Sequence, residues 1–209
     1  MALGPWVREM LGRWEPHAAD VYRGLFFSLD SFVDQLAQRV TPERVLEVGC
    51  GEGALMTRMA RRWPDARLVG IDITPRLGRL FGGDPARVRF QQTTVQEFTA
   101  VEPATVDLVV ICDVLHHVPP AEHTATLTAC RAALRPGGLL VVKEWIRNAS
   151  PIFWLGAASD RFISGDRVRF GNGDAWRQVF EVALGPGSLR EEISLRPWRS
   201  NRAFVLRWG

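Results

Sequence analysis

A short apolar run that ends in three closely spaced glycines constrains the fold of this chain more than any other feature. Residues 44–49 are rich in β-branched and aliphatic side chains, and Gly51 and Gly53 follow before a segment with helical spacing. A run of this kind predicts a buried strand. Glycines between a strand and a helix let a ligand approach the backbone and the helix N-terminus. The feature therefore predicts an α/β domain with a ligand site at the carboxyl end of its first strand.

Strand-like and helix-like segments continue to alternate after this loop. Strands are predicted at 67–72, 87–91, 106–112 and 139–145, and helices at 53–63, 75–81 and 121–134. This rhythm predicts a parallel sheet with right-handed crossovers and helices on both faces. A helix near 173–183 then leads to strands at 187–195 and 202–208, whose connection is short enough to require antiparallel pairing. The fold class predicted is α/β, a doubly wound, mostly parallel seven-stranded sheet with an antiparallel last strand.

The length and composition fit one domain with an N-terminal extension. The chain has 209 residues, of which 46% are hydrophobic and 23% charged, so it is long enough to bury a core. Apolar residues fall at helical spacing up to Val40, and Pro16 divides that stretch. We therefore expect a helical cap over residues 1–40, within the same domain as a sheet region over 41–209. Residues 149–172 have no place in the sheet and form a second candidate lid.

Several classes of protein do not fit the composition. We find no apolar stretch long enough for a membrane helix and no signal-peptide core, so a cytoplasmic protein is expected, with no membrane partner. The net charge is +3, and the basic residues, 25 Arg and one Lys, are interleaved with acids, so no nucleic-acid partner is expected. The three cysteines have no metal-binding spacing, and no metal is expected; unpaired cysteines suit a reducing compartment. The oligomeric state stays open.

The glycine loop has two ligand interpretations. Gly49-x-Gly51-x-x-Ala54 fits a dinucleotide-binding fingerprint, and Asp72 ends the next strand, where a carboxylate can bind ribose hydroxyls. Glu47 lies where a dinucleotide would place its pyrophosphate, and its carboxylate would repel that group. A ligand with positive charge near the loop suits Glu47 better. A tight turn without a ligand is the structural alternative.

Glu47-x-Gly49-x-Gly51-x-Gly53, together with Asp72, resembles motif I and the following acidic position of the class I S-adenosylmethionine-dependent methyltransferases. Residues 113–119 and 134–140 resemble two later motifs of that family, and the late antiparallel strand is its hallmark. The resemblance implies S-adenosylmethionine as cofactor. It implies cofactor contacts from Glu47, Gly49, Cys50, Gly51, Gly53, Asp72, Ile73, Thr94, Val95, Cys112 and Asp113. Tyr22 is a further candidate cofactor contact, from a cap that covers the pocket, with packing in the core as the alternative. Thr94 departs from the pattern, because the family usually has an acid there for the adenine amino group.

Histidines supply the candidate base for methyl transfer to a hydroxyl. His116 and His117 follow the fourth strand, and histidine's unperturbed pKa near 6.5 suits a general base. We favour His117 as the base and Glu144, at the end of the fifth strand, as its orienting partner. A role in loop capping or substrate packing is the alternative for either histidine. His123 is expected at the surface.

Aromatic and basic residues near the predicted entrance to the ligand site suggest an apolar or aromatic small-molecule acceptor. The candidate substrate residues are Trp145, Arg147, Trp154, Trp198 and Arg199. The function favoured is methylation of a small metabolite, with oxygen preferred over carbon or nitrogen, in secondary or quinone-type metabolism. An RNA methyltransferase, a nicotinamide-dependent oxidoreductase and a catalytically silent cofactor-binding partner are the alternatives.

Overall fold

A seven-stranded sheet forms the centre of the protein. The computed structural model describes residues 27–147, 171–196, 198 and 200–208. The strands are β1 (Arg44–Val48), β2 (Arg67–Asp72), β3 (Val88–Gln92), β4 (Val106–Cys112), β5 (Leu134–Trp145), β6 (Leu189–Leu195) and β7 (Asn201–Leu206). Their order is β3-β2-β1-β4-β5-β7-β6, and β7 runs antiparallel to both β5 and β6. The mostly parallel sheet with an antiparallel last strand is confirmed.

Helices cover both faces of the sheet. They are α1 (Leu29–Ala37), α2 (Ala54–Arg62), α3 (Val95–Val101), α4 (His123–Ala133) and α5 (Gly173–Leu184). Successive residues of β4 serve opposite faces: Leu108 and Val110 pack with α1 and α2, whereas Val109 and Ile111 pack with α3, α4 and α5. The central strands are therefore apolar on both faces, which explains their near-continuous hydrophobic sequences. Within the described ranges, no helix is long and apolar enough to cross a membrane.

Part of the predicted N-terminal cap belongs to the core. Helix α1 begins after Ser28, whose hydroxyl accepts a hydrogen bond from the Ser31 amide. Its apolar side, with Phe32 and Leu36 fully buried, packs against α2. The rest of the cap, residues 1–26, lies outside the described residues, and so does the candidate lid at 149–172 except for 171 and 172. The division at residues 40 and 41 stays a prediction.

Two local predictions between β2 and β4 need correction. The helix predicted at 75–81 is wrong: the segment forms turns, and Gly78 has φ +62°. A Cβ on Gly78 would lie 2.7 Å from the Phe90 ring, so the backbone passes too close to β3 for a helix with side chains. Helix α3 was not predicted, although Thr94 and Glu97 form a capping box at its start.

The topology places a ligand site at one edge of the sheet. The strand order reverses between β1 and β4, with β2 and β3 on one side and β5 on the other. In open α/β sheets, ligands bind beyond the carboxyl ends of the strands at such a switch point. The candidate residues after β1, β2, β4 and β5 therefore lie at a common edge.

Candidate functional site

The glycine loop after β1 is a tight turn held against β2. The amides of Gly49 and Cys50 both donate to the carbonyl oxygen of Ile71, at 2.8 and 3.0 Å. Gly49 has φ +74°, and a Cβ there would lie 2.3 Å from Cγ2 of Val114. Only glycine fits this close approach between the loop and the segment after β4. The predicted loop residues thus line one side of the switch point.

Asp72 ties the glycine loop to the end of β2. Its Oδ2 accepts from the Gly51 amide at 2.8 Å and its Oδ1 from the Thr74 amide at 2.9 Å. Each carboxylate oxygen has a second lone pair, so Asp72 keeps acceptor capacity for ribose hydroxyls. The neighbouring Ile73 is 74% exposed, which leaves its side chain available to an apolar ligand surface.

Glu47 is a buried carboxyl group that lacks a full set of partners. It is 3% exposed, and its Oε2 is buried without a hydrogen-bond partner in the part of the chain that the structure describes. Burial, and then the charge of Asp72, raise the pKa of Glu47 well above its ordinary value. A cationic ligand beside the loop would stabilise the ionised form of Glu47.

Cys50 and Cys112 flank Glu47 as unreactive thiols. Both are free, and Cys50 is 5% exposed. Burial raises the pKa of Cys50 and of Cys112 above the ordinary thiol value, and neighbouring carboxylates add to the effect. The thiol form of each residue therefore dominates at neutral pH, and their predicted role is contact with the cofactor.

Thr94 caps helix α3. Its hydroxyl accepts from the Glu97 amide at 3.2 Å and donates to Glu97 Oε2 at 3.0 Å. Three hydrogen bonds from Thr93 and Thr94, the Thr94 amide first, lower the pKa of Glu97. The Thr94 hydroxyl proton is therefore engaged within the cap. Contact of Thr94 and of the Val95 backbone with an adenine ring stays a prediction.

Asp113 begins the loop after β4 in an uncommon conformation. Its φ is +55°, a region that aspartate tolerates better than most residues. Its amide donates to the carbonyl oxygen of Lys143 on β5 at 2.9 Å, and its Oδ2 lies 2.5 Å from Lys143 Nζ. This left-handed residue stands where the chain leaves β4 and enters the loop beside β5.

Glu144 holds the same loop through two hydrogen bonds. Its Oε1 accepts from the Leu115 amide at 2.7 Å, and its Oε2 lies 2.6 Å from Nδ1 of His116. The side chains of His116 and Glu144 are 4% and 0% exposed. Glu144 therefore orients His116, and the expected pairing with His117 is wrong. His117 is exposed, with its ring centroid 4.2 Å from that of His116.

His123, at the start of α4, supports the loop after β4 by hydrogen bonds. The expectation that it lies at the surface is wrong. It is 8% exposed, and its Nε2 lies 3.0 Å from the carbonyl oxygens of both Leu115 and Val118. Since both partners are acceptors, Nε2 carries the proton and donates to the two carbonyls that flank the histidine pair. Its ring also packs against Trp176 of α5, with centroids 5.5 Å apart.

Asp113, His116 and Glu144 also form a group with the donor atoms for a metal ion. One ligand atom from each lies within 4.8 Å of the others. Both Glu144 oxygens accept hydrogen bonds, however, and the Lys143 ammonium is already the cation beside Asp113. These contacts favour the expectation of a metal-free site, which stays a prediction.

The predicted substrate residues are only partly brought together. Trp145 is 8% exposed and ends β5, whereas Arg147 and Trp198 are exposed. Arg202 of β7, close in sequence to Trp198 and Arg199, binds Glu192 of β6 at 3.1 Å. Tyr22, Trp154 and Arg199 lie outside the described residues.

The carboxylate oxygens at the switch point fit a ligand with two cationic groups. Glu47 Oε2 and Asp113 Oδ1 are both buried without hydrogen-bond partners among the described residues. Buried carboxylates of this kind need a cation or a donor. A pyrophosphate would bring further negative charge to them, so the site fits a sulfonium and an ammonium better than a dinucleotide.

Comparisons with known proteins agree with this chemistry. Residues 45–138 match the family model described as a methyltransferase domain. A ubiquinone biosynthesis O-methyltransferase of Xylella fastidiosa is 33% identical over 158 residues, which are 73% of this chain and 61% of that protein. The protein of the same name from Xanthomonas campestris is 31% identical over 189 residues, with 82% and 74% covered. The chain thus spans about three fifths of the length of the first of these relatives.

The fold also has close structural neighbours. The crystal structure of the S-adenosylmethionine-dependent methyltransferase SibL in its apo form superposes with a TM-score of 0.70 and covers 95% of this chain and 58% of SibL. The sequences are 21% identical, so this likeness concerns the fold.

Proposed function

We propose that this chain, which belongs to the class I S-adenosylmethionine-dependent methyltransferases, transfers a methyl group to an oxygen of a small aromatic acceptor. The names of its relatives, ubiquinone biosynthesis O-methyltransferases, support oxygen as the acceptor atom. They also favour a phenolic hydroxyl of the kind found in quinone-type metabolism. The cofactor of the family supplies an electrophilic methyl group on a sulfonium.

The single observation that carries this proposal is the buried His116–Glu144 pair. Glu144 accepts from Nδ1–H of His116, which fixes the tautomer in which Nε2 carries the lone pair. A phenolic hydroxyl placed at Nε2 loses its proton there, and the Glu144 carboxylate stabilises the imidazolium that forms. Base catalysis of this type contributes roughly 10²–10⁴-fold.

The remaining site residues bind and orient. Glu47 and Asp113 offer carboxylate oxygens to the cationic groups of the cofactor, and Asp72 offers acceptors to the ribose. Gly51 leaves room for the ligand beside the backbone, because a Cβ there would meet only Asp72 Oδ2, at 4.0 Å. Proximity of acceptor and methyl group then supplies about 7–11 kcal/mol of the barrier reduction.

We further propose that the protein acts on a diffusing small molecule in the cytoplasm, without nucleic acid. The free cysteines Cys50, Cys112 and Cys130 support a reducing compartment. The interleaved charges support the absence of a nucleic-acid partner.

Label transfer tests the proposal. S-adenosylmethionine with a deuterated methyl group is incubated with the protein and a panel of catechols, hydroquinones and simple phenols, and products are identified by mass spectrometry. We expect a labelled methyl ether, and no turnover of any acceptor with nicotinamide cofactors. A label on carbon or nitrogen, or on added RNA, would contradict the proposal.

Glu144→Gln tests the role of the pair. The amide cannot accept from both the Leu115 amide and His116 Nδ1–H, so the imidazole changes tautomer or turns away. We expect kcat to fall roughly 10²–10⁴-fold while the cofactor Kd stays within about threefold of wild type. An unchanged kcat would refute the assigned role.

A further inference from the structure

The only lysine of the chain lies in the candidate site. All 25 other basic residues are arginines, and Lys143 is 1% exposed. It stands in the middle of the sheet, between Cys112 of β4 and Ala203 of β7. A compact ammonium is accommodated in such a space, whereas the planar guanidinium of arginine needs more room and more acceptors. The exception to arginine usage thus coincides with a fully buried position.

Lys143 binds Asp113 through two separate groups. Its Nζ lies 2.5 Å from Asp113 Oδ2, and its carbonyl oxygen accepts from the Asp113 amide at 2.9 Å. The ammonium also lies 4.2 Å from the centroid of the Phe27 ring, which precedes α1. Together these contacts support the left-handed backbone of Asp113, a conformation that aspartate tolerates better than most residues.

The pair leaves one carboxylate oxygen unused. Asp113 Oδ1 is buried and has no hydrogen-bond partner within the described ranges, although the ammonium satisfies Oδ2. An ion pair of this kind, with Lys143 buried and Asp113 partly exposed, contributes little net stability. The orphaned buried oxygen instead suggests that the arrangement serves a ligand.

The residues around Asp113 indicate which part of the ligand its free carboxylate oxygen binds. Cys112 ends β4 beside Lys143 of β5, and its thiol lies 3.9 Å from Asp113 Oδ2, so these three residues meet at the end of β4. Val114, next to Asp113, touches Gly49 of the glycine loop. Asp113 therefore lies between the glycine loop and the histidine pair.

We propose that Lys143 is a positioning residue that fixes Asp113, so that Asp113 Oδ1 accepts a hydrogen bond from the ammonium group of the cofactor's amino-acid end. This inference rests on the proposed function. The Lys143 ammonium offsets one carboxylate charge in a site that also holds Glu47 and Glu144.

The single lysine makes a direct test possible. Protein made with ¹³Cε-labelled lysine, and without lysine in any tag, gives one lysine side-chain signal in an NMR spectrum. We expect Asp113→Asn to shift this signal in the absence of ligand, since the ion pair is lost. S-adenosylhomocysteine, which keeps the ammonium and lacks the sulfonium, should shift the wild-type signal with the Kd found by calorimetry.

Calorimetry with the same ligand tests coupling. Lys143→Met and Asp113→Asn should each raise the Kd about tenfold or more, and the double variant should raise it no more than about twofold further, because both changes remove one interaction. Acceptor KM should stay within about twofold. Arg44→Met is the control: it removes an ion pair with Glu102 at the opposite end of β1, so the Kd should stay within about threefold.

Contrary results are distinguishable from each other. A lysine NMR signal that does not shift while calorimetry shows binding would overturn the inference. A Lys143→Met variant that binds S-adenosylhomocysteine like wild type would also overturn it. Either result would leave the proposed function intact. If the increases in Kd caused by the two single variants multiply in the double variant, the inference is also overturned. Failure of wild type to bind S-adenosylhomocysteine, with the lysine signal still sensitive to Asp113→Asn, would count against the proposed function.

Discussion

Replacement of Glu47 by glutamine should stabilise the ligand-free protein and weaken cofactor binding. Glu47 is 3% exposed with a buried, unpartnered Oε2 among the described residues, and burial raises its pKa well above 4.5. A carboxyl group whose pKa is raised on folding contributes stability below its unfolded pKa and loses that contribution as pH rises through the folded pKa. The wild-type protein should therefore become less stable, relative to Glu47→Gln, as pH rises above 4.5.

The size of both effects follows from the same burial. Glutamine removes the negative charge but stays a buried polar group, so the gain in stability is that of the pKa shift, about 1.4 kcal/mol for each pKa unit. A gain of about 2 kcal/mol corresponds to a Tm increase of roughly 4–8 °C for a chain of this length. A cation about 4 Å from a carboxylate gains about 4 kcal/mol at an effective dielectric constant of 20. Even a third of that value predicts a Kd for S-adenosylmethionine at least about tenfold higher.

Thermal unfolding at pH 5 and pH 8, with calorimetric titration at pH 8, measures both effects. Glu52→Gln is the matched control, because Glu52 lies in the same loop but pairs with Arg79 at the surface. We expect it to change Tm by less than about 2 °C and to leave cofactor binding near wild type. A Glu47→Gln protein that melts below wild type at pH 8, or binds the cofactor as tightly, would refute the reasoning.

Three further substitutions test the geometry around the site. Gly49→Ala should abolish cofactor binding because its Cβ would meet Val114 at 2.3 Å, whereas Gly137→Ala, also at positive φ but with open space around it, should cost only about 1–2 kcal/mol in denaturant unfolding. His123→Leu should lower kcat about tenfold without changing the cofactor Kd, and His123→Gln, which keeps a donor, should retain most activity; equal losses would contradict the support role. Thr94→Val should lower Tm by roughly 2–4 °C through loss of the helix cap, and an unchanged Tm would contradict it.

The strands at the site were predictable because burial on both faces leaves a strong apolar signal. Residues 106–112 show this most clearly, and the structure gives Val106–Cys112 as β4. Helix α3 has only seven residues and a weak apolar pattern, so its capping box was the one signal available. The helix expected at 75–81 had suitable residue spacing, but the spacing does not reveal the tertiary contact between Gly78 and Phe90.

The positions of the site residues at the strand ends were predictable, but their hydrogen-bond partners were less so. Sequence order placed Glu47, Asp72, the histidines and Glu144 at strand ends. The histidine that reaches Glu144 on β5 is His116, in a loop that begins with the left-handed residue Asp113. Nothing in residue spacing reveals that conformation. Lys143 was not predicted as a site residue for a similar reason, because its contact with Asp113 depends on the pairing of β4 with β5.

Single-turnover methyl transfer by His116→Asn and His117→Asn tests most directly whether the buried pair supplies the base. Asparagine at 116 keeps a donor for Glu144 and removes the ring nitrogen that accepts the proton. With a labelled acceptor product as readout, we predict that His116→Asn slows methyl transfer roughly 10²–10⁴-fold and that His117→Asn stays within about fivefold of wild type. A slow His117→Asn variant beside a fast His116→Asn variant would contradict the assignment.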